Sequence, residues 1–210
     1  MAAATWTDPA DRADGYVVGQ TVWNQLLGDT GNLQFLYENS WVPVAVSTAA
    51  QTTTSTSAVD LVTLTPTNSI GINDWALVTF EFRKTATSAN LVSIGLKINS
   101  TTVFEAVSGT GKVRTSSTNQ AEAGFGSFLI PPRSTANYGF GVIPNFAVFT
   151  TAGAYTASTM TDAAAAGAPA AMTAAVPNAA ITSVTLRAIN VTTNNNAEIK
   201  NAALYQLRSQ

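Results

Sequence analysis

Two stretches of strict alternation constrain this chain more than any other feature. Trp75 to Arg83 places Val78, Phe80 and Phe82 toward one side, and Leu91 to Asn99 does the same with Val92, Ile94, Leu96 and Ile98. A period of two belongs to a strand with one buried face, whereas a helix needs apolar residues three and four apart. Thr85 to Asn90 reads as the turn between them. Asn99-Ser-Thr is a tight-turn candidate that returns Thr102 to Val107 as a hairpin partner.

The same signals extend along the chain. Trp41 to Val46 reads as a strand, with Pro43 marking an edge or a strand start. Ala49 to Ala58 is a polar low-complexity stretch and is expected to be a loop or linker. Val59 to Thr65, Gly124 to Ile130, Tyr138 to Ile143, Phe146 to Thr150, Ile181 to Val191 and Ala197 to Leu207 are further strands, with Pro144-Asn145 separating the middle pair. Ala152 to Ala180 is a long Ala/Thr-rich excursion, whose one helical patch is cut short by Gly167 and Pro169. About eight to ten strands with regular turns indicate a sandwich or jelly roll. The expected fold is all-β: a jelly-roll-like antiparallel β-sandwich over residues 41–210, preceded by a short arm and a helical anchor over residues 1–40.

That anchor rests on Asp14 to Tyr37. At helical spacing Val22, Leu26, Leu33 and Leu36 share a stripe, flanked by Trp23 and Leu27, while Gly28 and Gly31 interrupt it. So short a helix is marginal alone and requires a partner for its apolar face. Together with Trp6 and Tyr16 these side chains form the candidate interface. Asp8, Asp11 and Asp14 recur every third residue but lack the glycine and terminal glutamate of an EF-hand loop. Acidic residues ahead of a helix N-terminus explain them better.

Composition narrows the chemistry. With no cysteine and no histidine, the chain lacks thiolate nucleophiles, sulfur ligands for metals, and the usual general base near neutral pH. Asp74, Glu81, Glu105 and Glu122 do not nominate a glycosidase pair by spacing. Gly109-Thr-Gly111, Gly124-Phe-Gly126 and Gly139-Phe-Gly141 match no phosphate-binding fingerprint and read as strand-end glycines. Trp75 beside Asp74 could stack on a sugar, although a tryptophan opening a strand is more often core. Asn99-Ser-Thr and Asn190-Val-Thr match the glycosylation sequon by coincidence in an Asn/Thr-rich chain. No enzymatic activity, cofactor or metal is expected.

Charged residues make up 10% of the chain, against roughly 25% in ordinary soluble domains. The net charge is −2 and the basic residues are scattered in sequence, so nucleic acid and membrane are not expected partners. A polar, uncharged surface instead suits close-packed neighbours, because few ions lose their water on assembly.

Trp6, Gly15-Tyr-Val-Val-Gly-Gln-Thr21, Trp23-Asn24, Leu27, Gly28-Asp29 and Leu33 resemble an N-terminal pattern of tailed-bacteriophage virion proteins. That pattern carries an early tryptophan, a G-x-V-V/T-x-A/T turn, W/L-N and a D-N-L run. Here Thr30-Gly31 splits the last element. Leu91 to Val103 resembles a hairpin of jelly-roll domains in such proteins, and Ile181 to Leu207 resembles their last strands. The resemblance implies a virion component made in the host cytoplasm, a homo-oligomer and often a trimer. Its expected role is capsid decoration or cement against the major capsid protein or other virion proteins. The alternative is a minor tail or tail-fibre protein that binds host surface glycan.

Overall fold

The structure, a computed structural model, describes residues 40–85, 92–106, 113–114, 121–133, 143–150, 155–156, 174–190, 192–193 and 196–207. The candidate interface residues Trp6, Tyr16, Val22, Trp23, Leu26, Leu27, Leu33 and Leu36 and the Asp8-Asp11-Asp14 series lie outside them, as does most of the Ala-rich excursion. Contacts define one compact unit over Pro43–Gln206, and a second from Met1–Val42 with Leu207–Gln210 that is almost wholly outside the described residues.

The described strands are β1 (Val42–Ser47), β2 (Gln51–Thr53), β3 (Val59–Leu64), β4 (Trp75–Lys84), β5 (Val92–Ile98), β6 (Thr101–Phe104), β7 (Val113–Arg114), β8 (Glu122–Ile130), β9 (Ile143–Thr150), β10 (Tyr155–Thr156), β11 (Val184–Asn190) and β12 (Ala197–Leu207). One sheet, A, runs β1-β12-β4-β8-β9-β10 with β2 beside β12. The other, B, runs β3-β11-β5-β6 with β7 beside β5.

Neighbour by neighbour, β1 lies beside β12, β3 beside β11, β4 beside β8, and β5 beside β6. The chain is thus one long ribbon doubled back at the β5–β6 turn, with successive rungs falling alternately in sheets A and B. That is the winding of a jelly roll. The expected all-β sandwich is the observed architecture.

The tip of the ribbon is built on Asn99, whose φ of 54° lies in the left-handed region. Asparagine tolerates that region, and its side chain can replace missing backbone partners. Its Oδ1 accepts from Thr182 N at 2.8 Å and Thr182 Oγ1 at 3.0 Å, while Nδ2 donates to the Ala180 carbonyl at 3.0 Å. Asn190, fully buried, donates through Nδ2 to the carbonyls of Thr53 and Ser55. Both sequon asparagines therefore tie distant loops together.

Alternation decides which side chains fill the core. Val78, Phe80 and Phe82 of β4 face Ile94, Leu96 and Ile98 of β5, Leu186 of β11 and Phe128 of β8 in one buried cluster. Phe128 stacks on Phe80 and on Phe104, each at a centroid separation of 5.6 Å. Phe104 belongs to sheet B, so this file of rings joins the two layers.

Four local expectations change. Ala49 to Ala58 is not wholly loop, because Gln51–Thr53 pairs with Ala197–Ile199 at the flank of sheet A. Tyr155–Thr156, inside the supposed excursion, pairs with Val148–Phe149. Pro144 does not separate two strands but sits within β9, opposite Phe128. Proline has no N–H to donate. It is accommodated because β9 pairs with β8 there, while β10 joins β9 only at its other end.

Gly124 and Gly126 are not at a strand end but inside β8. A Cβ on Gly126 would lie 2.2 Å from Phe80 Cζ, so the bare backbone is the surface on which that ring rests. Gly126→Ala should therefore destabilise the domain by about 1–3 kcal/mol, the usual cost of overpacking. Urea unfolding followed by circular dichroism measures it.

Candidate functional site

The charges that are scattered along the sequence are gathered in space. On the outer face of sheet A, Glu81 receives Arg83 at 3.1 Å, Lys200 at 3.3 Å and the Asn201 amide at 3.0 Å. Arg83 also lies 3.8 Å from Glu198. On sheet B, Asp60 binds Lys97 at 2.9 Å and Arg187 at 2.6 Å, and Arg187 reaches Glu105 at 2.9 Å.

Two further pairings lie inside. Lys84 and Glu122 face each other across β4 and β8 at 3.7 Å, with both side chains fully buried. Burial pushes the Lys84 ammonium below its ordinary range, and Glu122 opposes that shift. Arg133, just after β8, is also fully buried; its Nη2 donates to the Gly71 carbonyl at 3.0 Å. Burial lowers its pKa as well, against the opposing charge of Asp74. Asp74 accepts from Gly71 N and from Gln206 Nε2, so it closes the β3–β4 loop onto β12.

A groove of about 470 Å³ lies on the outer face of sheet A, lined by Thr79, Phe80, Glu81, Phe125, Gly126, Ser127 and Asn201. Register places Thr79 opposite Ser127 and Glu81 opposite Phe125. The Phe125 ring is 62% exposed, the most exposed large apolar side chain among the described residues. Its same-face neighbours along β8 are Ala123 and Ser127, both too small to cover it.

Asn201 enters the groove through a fault in β12. Ala197 and Ile199 are buried, but the next buried pair on that face is Ala202 and Leu204, so the alternation slips one residue at Asn201. Asn201 carries φ 48°, the left-handed conformation that lets a bulged strand re-aim a side chain.

Trp75, the residue that sequence nominated for sugar stacking, is partly buried at the start of β4 and does not line the groove. Phe125 was missed because its flanking glycines read as a strand end. Glu81 was named as a carboxylate, but its partners lie far away in sequence. Among the described residues no three His, Cys, Asp or Glu side chains cluster as metal ligands.

Burial pushes the Glu81 carboxyl up, but hydrogen bonds from Asn201, Lys200 and Arg83 outweigh it and hold the group below its ordinary 4.5. For Asp60 burial likewise raises and the Lys97 and Arg187 contacts lower, leaving it below 3.8. A depressed carboxyl contributes stability that is full above its unfolded pKa and is lost as pH falls through the lower folded value. Stability should therefore fall as pH drops below 4.5. Glu81→Gln should flatten part of that slope while costing stability at neutral pH. Urea midpoints taken across the acid range check both.

No family model, no curated protein and no solved structure matches the chain.

Proposed function

We propose that this chain is a non-enzymatic structural protein of a tailed-bacteriophage particle, a homotrimeric decoration or cement protein on the capsid surface. The observation that carries the reading is the internal neutralisation of charge. Arg83, Lys97, Arg187 and Lys200 are matched within the chain by Asp60, Glu81, Glu105 and Glu198. Lys84 is matched by Glu122, and Arg133 lies in the field of Asp74. Among the described residues, the exposed surface apart from these paired ions is largely Thr, Ser, Asn and Ala, a surface that loses little hydration energy when it packs against a neighbour.

Jelly-roll winding supports the reading, since viral capsid domains use it, although lectin domains and cupins do too. The N-terminal resemblance supplies the particle. In this reading residues 1–40 anchor the chain to the major capsid protein and the sandwich faces outward.

A second reading, a tail-associated protein that binds host glycan, is favoured by one observation, the groove around Phe125. Copy number separates the two locations. Quantitative mass spectrometry of purified particles should give a stoichiometry proportional to the major capsid protein. A count fixed by the tail's own symmetry would move the protein to the tail, and absence from particles would end both readings.

A further inference from the structure

We infer that the groove on sheet A is a carbohydrate-binding site, taking an uncharged oligosaccharide of hexopyranose units with one ring stacked on Phe125. The inference does not rest on where the protein sits in a particle.

Phe125 is 62% exposed, and Thr79, Glu81, Ser127 and Asn201 line the groove beside it. A stable protein–protein interface needs on the order of 1,200–2,000 Å² of buried surface with an apolar centre. One exposed ring flanked by the polar groups of the groove is a poor centre for that. It matches a pyranose, which offers an apolar C–H face to a π-surface and hydroxyls around its edge.

The rim is placed for those hydroxyls. Asn201 Nδ2 is committed to Glu81 Oε2 at 3.0 Å, which fixes the amide and leaves its Oδ1 to accept from a ligand hydroxyl. Thr79 and Ser127, opposite each other across β4 and β8, supply hydroxyls that donate or accept. Glu81 is pinned by Arg83, Lys200 and Asn201. Its orientation is thus set before a ligand arrives, and ordering it costs nothing on binding.

The same contacts determine the ligand's charge. Arg83 and Lys200 already neutralise Glu81, so the groove offers no unmatched charge to an ionic ligand. A cation would compete with two fixed cations, and an anion would meet the carboxylate. An uncharged saccharide meets neither penalty. The slip at Asn201 adds a second, independent sign: a left-handed residue inside a long strand re-aims one side chain, and it aims it here.

The test is saturation-transfer NMR and calorimetric titration of the full chain with maltohexaose, cellohexaose, mannohexaose and chitohexaose. At least one should bind, with a Kd on the order of 1 mM or tighter. Phe125→Ala should weaken it about tenfold or more, and Phe125→Trp should retain it or tighten it. Because the ring is exposed, Phe125→Ala should leave the melting temperature unchanged, which separates lost binding from lost fold. Failure of all four saccharides to bind overturns the inference, as does undiminished binding by Phe125→Ala. Loss of self-association in that variant would also overturn it, by making the ring a subunit contact. Saccharide binding by a chain absent from particles would leave the groove standing and remove only the virion reading.

Discussion

The structure depends on a file of three aromatic rings. Phe80 and Phe128 rise from adjacent strands of sheet A, and Phe104 meets Phe128 from sheet B. Aromatic pairs at this separation add a specific term to their burial, and truncating a core phenylalanine typically costs about 3–5 kcal/mol. The file needs room, and Gly126 provides it by offering Phe80 bare backbone. The side chain that Gly126 lacks would have pointed inward, so the glycine serves the core rather than the outer face of β8.

Winding explains why the ends of the ribbon need so many polar ties. Each rung alternates between sheets, so every crossing is a loop whose backbone groups need partners. Asn99 supplies them at the doubled tip, Asn190 at the β2 end of β11, and Asp74 with Arg133 where β8 and β12 end. These residues show nothing unusual in sequence, because each acts on backbone that is remote along the chain.

The alternating runs of β4 and β5 were legible because one face is apolar and the period is two, and their inward residues are the observed core. The short strands β2 and β10 were not legible. Thr- and Ser-rich segments carry little pattern of their own and become strands only because an existing edge offers hydrogen bonds. Pro144 misled because its missing N–H matters only where a partner strand would receive it. The groove was hidden for a related reason: Glu81 and Asn201 lie 120 residues apart, and the register slip that joins them is a property of the folded strand. Glycines flanking Phe125 looked like punctuation, whereas Gly126 is a position where the Phe80 ring leaves no place for a side chain.

The described charges are matched within the chain, so the self-association proposed above would use uncharged polar and apolar surface. Sedimentation velocity of the full-length protein, from low salt to about 1 M sodium chloride, tests it most directly. Exposed ion pairs between subunits would be screened over that range, whereas apolar and uncharged contacts would persist. The expected result is a trimer whose sedimentation coefficient is unchanged throughout. A monomer at every salt concentration, or an oligomer that dissociates as salt rises, would contradict it.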